Sequence, residues 1–89
     1  MVKYRLYFTR QAQKDAKRLT AAGLRKSAEK LLRILERNPF QEHPPFEKLL
    51  GDLSGAFSRR INIHHRLVYQ VFEKEKAIKI IRMWTHYGE

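Results

Sequence analysis

An 89-residue chain with 43% apolar residues and no cysteine can fill one small core, so residues 1–89 are expected to form a single domain without disulfides. The opening MVKYRLYF mixes charges with apolar residues, unlike the apolar stretch of a signal peptide, and no apolar run nears the roughly 20 residues of a membrane span, so a cytoplasmic protein with no membrane role is expected. Nineteen Lys and Arg against nine Asp and Glu give a net charge of +10, which attracts polyanions; nucleic acid is the main reading, beside a solvated surface or a patch for an acidic protein.

The chain starts as a strand, because Val2, Tyr4, Leu6 and Phe8 alternate with Lys3, Arg5 and Tyr7. Thr9 can cap a helix that carries Ala12, Ala16 and Leu19 on one face, and Gly23 breaks it. A second helix follows with an apolar stripe of Leu24, Ala28, Leu31, Leu32 and Leu35, and Asn38-Pro39 ends it. From Pro39 to Gly55 the chain reads as irregular, with Pro44-Pro45 extended, and a long loop in so small a domain is usually functional.

Strand signals return at Ala56–Ile63, Arg66–Phe72 and Lys76–Tyr87, with His64-His65 and Glu73-Lys74-Glu75 as turns. The middle strand is apolar on both faces and is expected to be central. This order predicts an α+β fold: two N-terminal helices packed on one face of a twisted, mainly antiparallel sheet, with the other face free for a ligand.

No glycine loop for phosphate and no metal-spaced Cys/His cluster is present, and Ser54 and Ser58 lack a nucleophile signature. Acid-base and cationic groups remain: Glu47, Arg59, Arg60, His64, His65, Arg66, His86 and Tyr87. Individually each has an ordinary explanation. Glu47 reads as a solvated loop carboxylate, His64 and His65 as exposed turn residues, His86 as a strand-end cap and Tyr87 as an edge aromatic. Arg59 and Arg60 point to opposite faces of one strand, so a given cleft is served by one of them.

Taken together they fit a ribonuclease that works without metal. Such an enzyme needs a base for the ribose 2′-OH, an acid for the departing 5′ oxygen, and cations for the charge growing on phosphate. Glu, His and Arg suit those roles, and Arg60, Arg66 and His86 fall on successive strands.

NPF at Asn38–Phe40, FEKLLGDLSGAFSRRINIHHRLVYQV at Phe46–Val71 and WTHY at Trp84–Tyr87 resemble the YoeB (Txe) toxins of the RelE superfamily. The shared pattern is Glu47, Leu53-Ser54-Gly55, Ser58-Arg59-Arg60, His65-Arg66-Leu67-Val68-Tyr69 and His86-Tyr87. The resemblance implies a microbial-ribonuclease-like fold and ribosome-dependent cleavage of mRNA in the A site. It also implies control by an antitoxin of the YefM/Phd type. Carried over by motif, Glu47 is the general base, His86 the general acid and Arg66 the transition-state cation, while Arg60 and Tyr87 hold RNA; Arg59 and Lys48 are added as RNA contacts.

The implied products are a 2′,3′-cyclic phosphate and a 5′-hydroxyl, and no cofactor is expected. Where relatives carry a lysine three residues after the glutamate, this chain has Leu50, with Lys48 nearest. Gly88-Glu89 extends past the terminal tyrosine. Two other readings stay open: a non-catalytic gyrase inhibitor like the ParE relatives, or a plain RNA- or ribosome-binding module. A homodimer is also open.

Overall fold

The computed structural model describes residues 3–84, apart from the side chain of Leu53. The order is β1 (Arg5–Phe8), α1 (Arg10–Ala21), α2 (Arg25–Arg37), β2 (Phe46–Lys48), a single 3-10 turn at Gly51–Leu53, β3 (Phe57–Arg60), β4 (Arg66–Phe72) and β5 (Ala77–Arg82). The strands form one sheet in the order β1-β5-β4-β3-β2. All pairings are antiparallel except β1 with β5, which is parallel. The expected α+β architecture is therefore present, with β4 at its centre.

β2 corrects the expectation that residues 39–55 are wholly irregular. Its three residues pair with β3, Phe46 opposite Arg59 and Glu47 opposite Ser58. The remaining differences are at strand ends: β1 starts at Arg5, β3 covers only Phe57–Arg60, and β5 is Ala77–Arg82, with the expected continuation at 85–87 lying outside the described residues.

The two helices cover one sheet face. Thr9 caps α1 by accepting from the Ala12 N–H at 3.0 Å, and its own hydroxyl donates to the Ile81 carbonyl at 2.9 Å. The cap thus starts the helix and ties it to β5. Gly23, at φ 77°, takes the left-handed turn between the helices, a conformation that costs glycine little. Ala12 and Leu19 from α1, with Ala28, Leu31, Leu32 and Leu35 from α2, pack on Leu67, Tyr69, Ile78 and Ile80. Burying one such aliphatic side chain contributes about 1.5–3 kcal/mol.

Asp15 lies on the same buried stripe of α1, fully covered. Its carboxylate accepts from Gln11 at 2.9 Å, Arg82 Nε at 3.0 Å, Met83 N–H at 2.9 Å and Trp84 N–H at 3.2 Å. Burial pushes its pKa up, but the bonds from Met83, Gln11 and Arg82, together with the Arg82 charge, outweigh it. The carboxyl is held below its ordinary 3.8 and stays ionised at neutral pH.

Candidate active site

The sheet face that the helices leave open is built by strand alternation. Glu47 on β2 faces Ser58 on β3, and Arg60 on β3 faces Arg66 on β4, all on the side away from the helices. Arg66 is opposite Arg60 and reaches diagonally, donating to Ser58 Oγ at 3.2 Å and pairing with the Glu47 carboxylate. Arg66 is only 18% exposed while Glu47 is 62% exposed, so the cation is embedded and the carboxylate is open to an incoming group.

Two guanidiniums directly opposed on neighbouring strands repel each other, and Glu47 offsets one charge of the pair. Further anionic charge is favoured there. A cleft of about 590 Å³ opens above these residues, walled by Pro44, Pro45, Ile61 and Ile63 and floored by Glu47, Arg60 and Arg66. Its mixture of apolar walls and convergent cations suits a nucleotide with its phosphate.

The β3–β4 connection is shaped by Asn62, whose Oδ1 accepts from the His64 N–H at 2.9 Å and the His65 N–H at 2.8 Å. His65 is not an exposed turn residue. It is 6% exposed and stacks on Trp84 with ring centroids 3.9 Å apart. His64 is exposed, as the turn predicts.

Arg59 corrects a second expectation. Its side chain is fully buried on the helix side, so it faces no RNA. The guanidinium donates to the carbonyls of Pro39 at 3.0 Å, Gln41 at 2.7 Å and Pro44, and to the Tyr69 hydroxyl at 3.0 Å, and it lies 4.9 Å from the Phe46 ring centroid. It therefore moulds the loop that delivers β2, and with it Glu47. Burial raises the pKa of Tyr69, partly countered by the charge and hydrogen bond of Arg59.

Lys48 is exposed, yet it pairs with Phe57 and alternates away from Glu47. It does not join the Glu47–Arg66 cluster. Leu50 is 86% exposed. His86 and Tyr87 lie outside the described residues. Ser58, without a nucleophile signature, is the unexpected member of the site: it is buried beneath Arg66 as an acceptor. Its one sequence signal is its place between the two strand neighbours Phe57 and Arg59, on the side of Arg60.

A basic α+β chain with a carboxylate set against opposed arginines on an open sheet face has the fold of the small RelE-type toxins. The chain belongs to the YoeB-like toxins of bacterial type II toxin-antitoxin systems, whose family model matches residues 6–87. It is 38% identical over 69 residues to the toxin YoeB of Mycobacterium bovis, covering 74% of this chain and 79% of that protein. It resembles the solved "YoeB/ParE toxin" of Agrobacterium tumefaciens at 30% identity and TM-score 0.84, covering 93% and 99% of the two chains. In the YoeB-YefM complex from Staphylococcus aureus the toxin is 36% identical, with TM-score 0.79 and coverage of 94% and 98%; a YoeB dimer from that organism is also solved. No helix among the described residues is long and apolar enough to cross a membrane.

Proposed function

We propose that this toxin is an endoribonuclease that cuts mRNA in the ribosomal A site through Glu47, Arg66 and His86. The observation that carries the reading is the Arg66 guanidinium, embedded between Ser58 and Glu47 on an open face and opposite Arg60. A substrate phosphate competes with Glu47 for Arg66. As the phosphate takes over the guanidinium, the carboxylate is released beside the ribose, where it accepts the 2′-OH proton.

The 2′ oxygen then attacks phosphorus, the P–O5′ bond breaks, and His86 gives its proton to the leaving oxygen. Arg66 and Arg60 stabilise the added negative charge of the transition state. The products are a 2′,3′-cyclic phosphate and a 5′-hydroxyl, and all reacting atoms belong to the RNA and these side chains. Tyr87 is assigned as an RNA contact by motif; Lys48, the lysine nearest Leu50, alternates away from Glu47 and can meet RNA only outside the Glu47–Arg66 cluster. The antitoxin partner is read across from the YoeB-YefM complex, and a homodimer from the solved YoeB dimer. An acidic, apolar antitoxin segment would complement the +10 charge of this chain.

The test is cleavage of a defined mRNA on purified ribosomes, with end-group analysis of the products. Cyclic phosphate ends that vanish in Glu47→Ala and His86→Ala support the mechanism. Cleavage by both variants at the parental rate refutes it, and inhibition of gyrase supercoiling without any cleavage establishes a different toxin activity.

A further inference from the structure

Two anchors converge on the end of β5. The first is Asp15, fully buried on α1, which holds the Met83 and Trp84 N–H groups and the Arg82 Nε, while Arg82 Nη2 also donates to the Trp84 carbonyl at 3.1 Å. The second is the His65 ring, stacked on the Trp84 indole at 3.9 Å. His65 directly precedes Arg66, the embedded cation of the candidate active site. Trp84 is thereby fixed both to the helix layer and to the strand that bears Arg66. One residue, Thr85, lies between Trp84 and His86 in the sequence.

A buried carboxylate is an expensive choice for a merely structural role, since replacing an internal ion pair by packed apolar side chains is often neutral or stabilising. Its bonds here go to the backbone of one short stretch, the stretch that leads to the proposed acid. We infer that Asp15 is a positioning residue for the general acid: it fixes residues 82–84, the stretch that precedes His86 in the chain. This rests on the proposed ribonuclease reading. Asp15 touches no substrate, and its effect passes through the chain at 82–84.

The experiment uses ribosomes programmed with a short synthetic mRNA, in its normal form and with sulfur replacing the bridging 5′ oxygen at the cut site. A 5′-thiolate leaves as the anion, so that substrate needs no acid. On the normal mRNA, Asp15→Asn is expected to lower the single-turnover rate by about 10²-fold, the size of effect a 1 Å misplacement produces. Ribosome affinity should stay within about twofold. On the sulfur substrate both Asp15→Asn and His86→Ala should return to within about threefold of the parent.

If His86→Ala is rescued while folded Asp15→Asn stays slow, Asp15 does not act through the acid and the inference fails, though the ribonuclease reading stands. If His86→Ala is not rescued, the acid assignment falls and takes the inference with it. Should Asp15→Asn fail to fold, Arg82→Gln decides, because the Arg82 side chain is 42% exposed and its loss leaves the core intact. A smaller defect in the same direction, erased by sulfur, is expected; an unchanged rate, or a defect that sulfur does not erase, overturns the inference.

Discussion

Replacing Arg59 with alanine separates a core arginine from an RNA-binding one. In the folded protein the guanidinium donates to three carbonyls and to the Tyr69 hydroxyl. Pro39 keeps a donor after the substitution, because the Tyr69 hydroxyl also gives to it at 3.2 Å. Gln41 and Pro44 lose the guanidinium, and a space opens between Phe46 and Tyr69. Charge-assisted bonds of this kind are worth about 1.5–3 kcal/mol each, reduced where the carbonyl is only partly buried. A loss of about 3–5 kcal/mol results. A domain of 89 residues has about 4–13 kcal/mol in total, so much of the margin goes. At about 4–8 °C per kcal/mol, the midpoint of thermal unfolding should fall by at least about 12 °C, read by circular dichroism and checked by urea titration. Arg59→Lys should recover little, because an ammonium cannot span carbonyls arranged for a planar fork. An Arg59→Ala midpoint within about 4 °C of the parent would show that this network does not hold the loop at 38–45, and the reasoning fails.

Arg60→Ala is the contrasting case: exposed on the open face, it should change stability by less than about 0.5 kcal/mol. It should nevertheless weaken RNA binding and reduce the salt dependence of log K by about one unit of slope, measured by fluorescence titration from low to moderate salt. Arg66→Lys keeps the charge but loses the planar guanidinium, whose Nη1 meets both Ser58 and Glu47 and whose other nitrogen can meet a phosphate, and mRNA cleavage on ribosomes is expected to drop about 10²-fold; a parental rate would show that a point charge suffices. Asp15 carries a pH signature. Its folded pKa lies below the ordinary 3.8, so on acidification the unfolded chain takes up the proton first. The stability it contributes is therefore complete above about pH 5 and is lost as pH falls through the folded pKa. Urea unfolding of the parent and Asp15→Asn should show a gap at neutral pH that narrows below about pH 4, and a gap that widens there contradicts the assignment.

Periodicity carried most of the fold. The alternation in residues 4–8 and the stripes on both helices name the residues that the core uses. It failed where an element is too short to show a period: Phe46–Lys48 is three residues between proline- and glycine-rich stretches, and only pairing with β3 makes it a strand. Alternation also separated Arg59 from Arg60, but it cannot say which face the helices will cover. That choice put one guanidinium in the core and the other on the open face. Asp15 sits at helical spacing between Ala12 and Leu19, a visible sign that it is buried. Apart from Gln11, its partners are 67 to 69 residues away and carry no sign at all. Similarly, His65 reads as a turn residue until Trp84 stacks on it. In the site, the expected meander put Arg60 and Arg66 on successive strands, whereas the arrival of Glu47 beside Arg66 depends on β2.

The parallel pairing of β1 with β5 has a kinetic meaning. Among the described residues the first strand finds its sheet neighbour in the last, Arg5 beside Ala77 through Phe8 beside Ile80. Contacts that distant must close most of the chain into a loop before they stabilise anything, and folds dominated by them form slowly. During synthesis, the helices can form early but have no finished sheet to rest on until residues 77–84 have been made. The order of translation therefore delays the pairing of β1 until β5 has been made, and the protein that is proposed to act on ribosomes must itself wait on one for the strand that completes this part of its sheet.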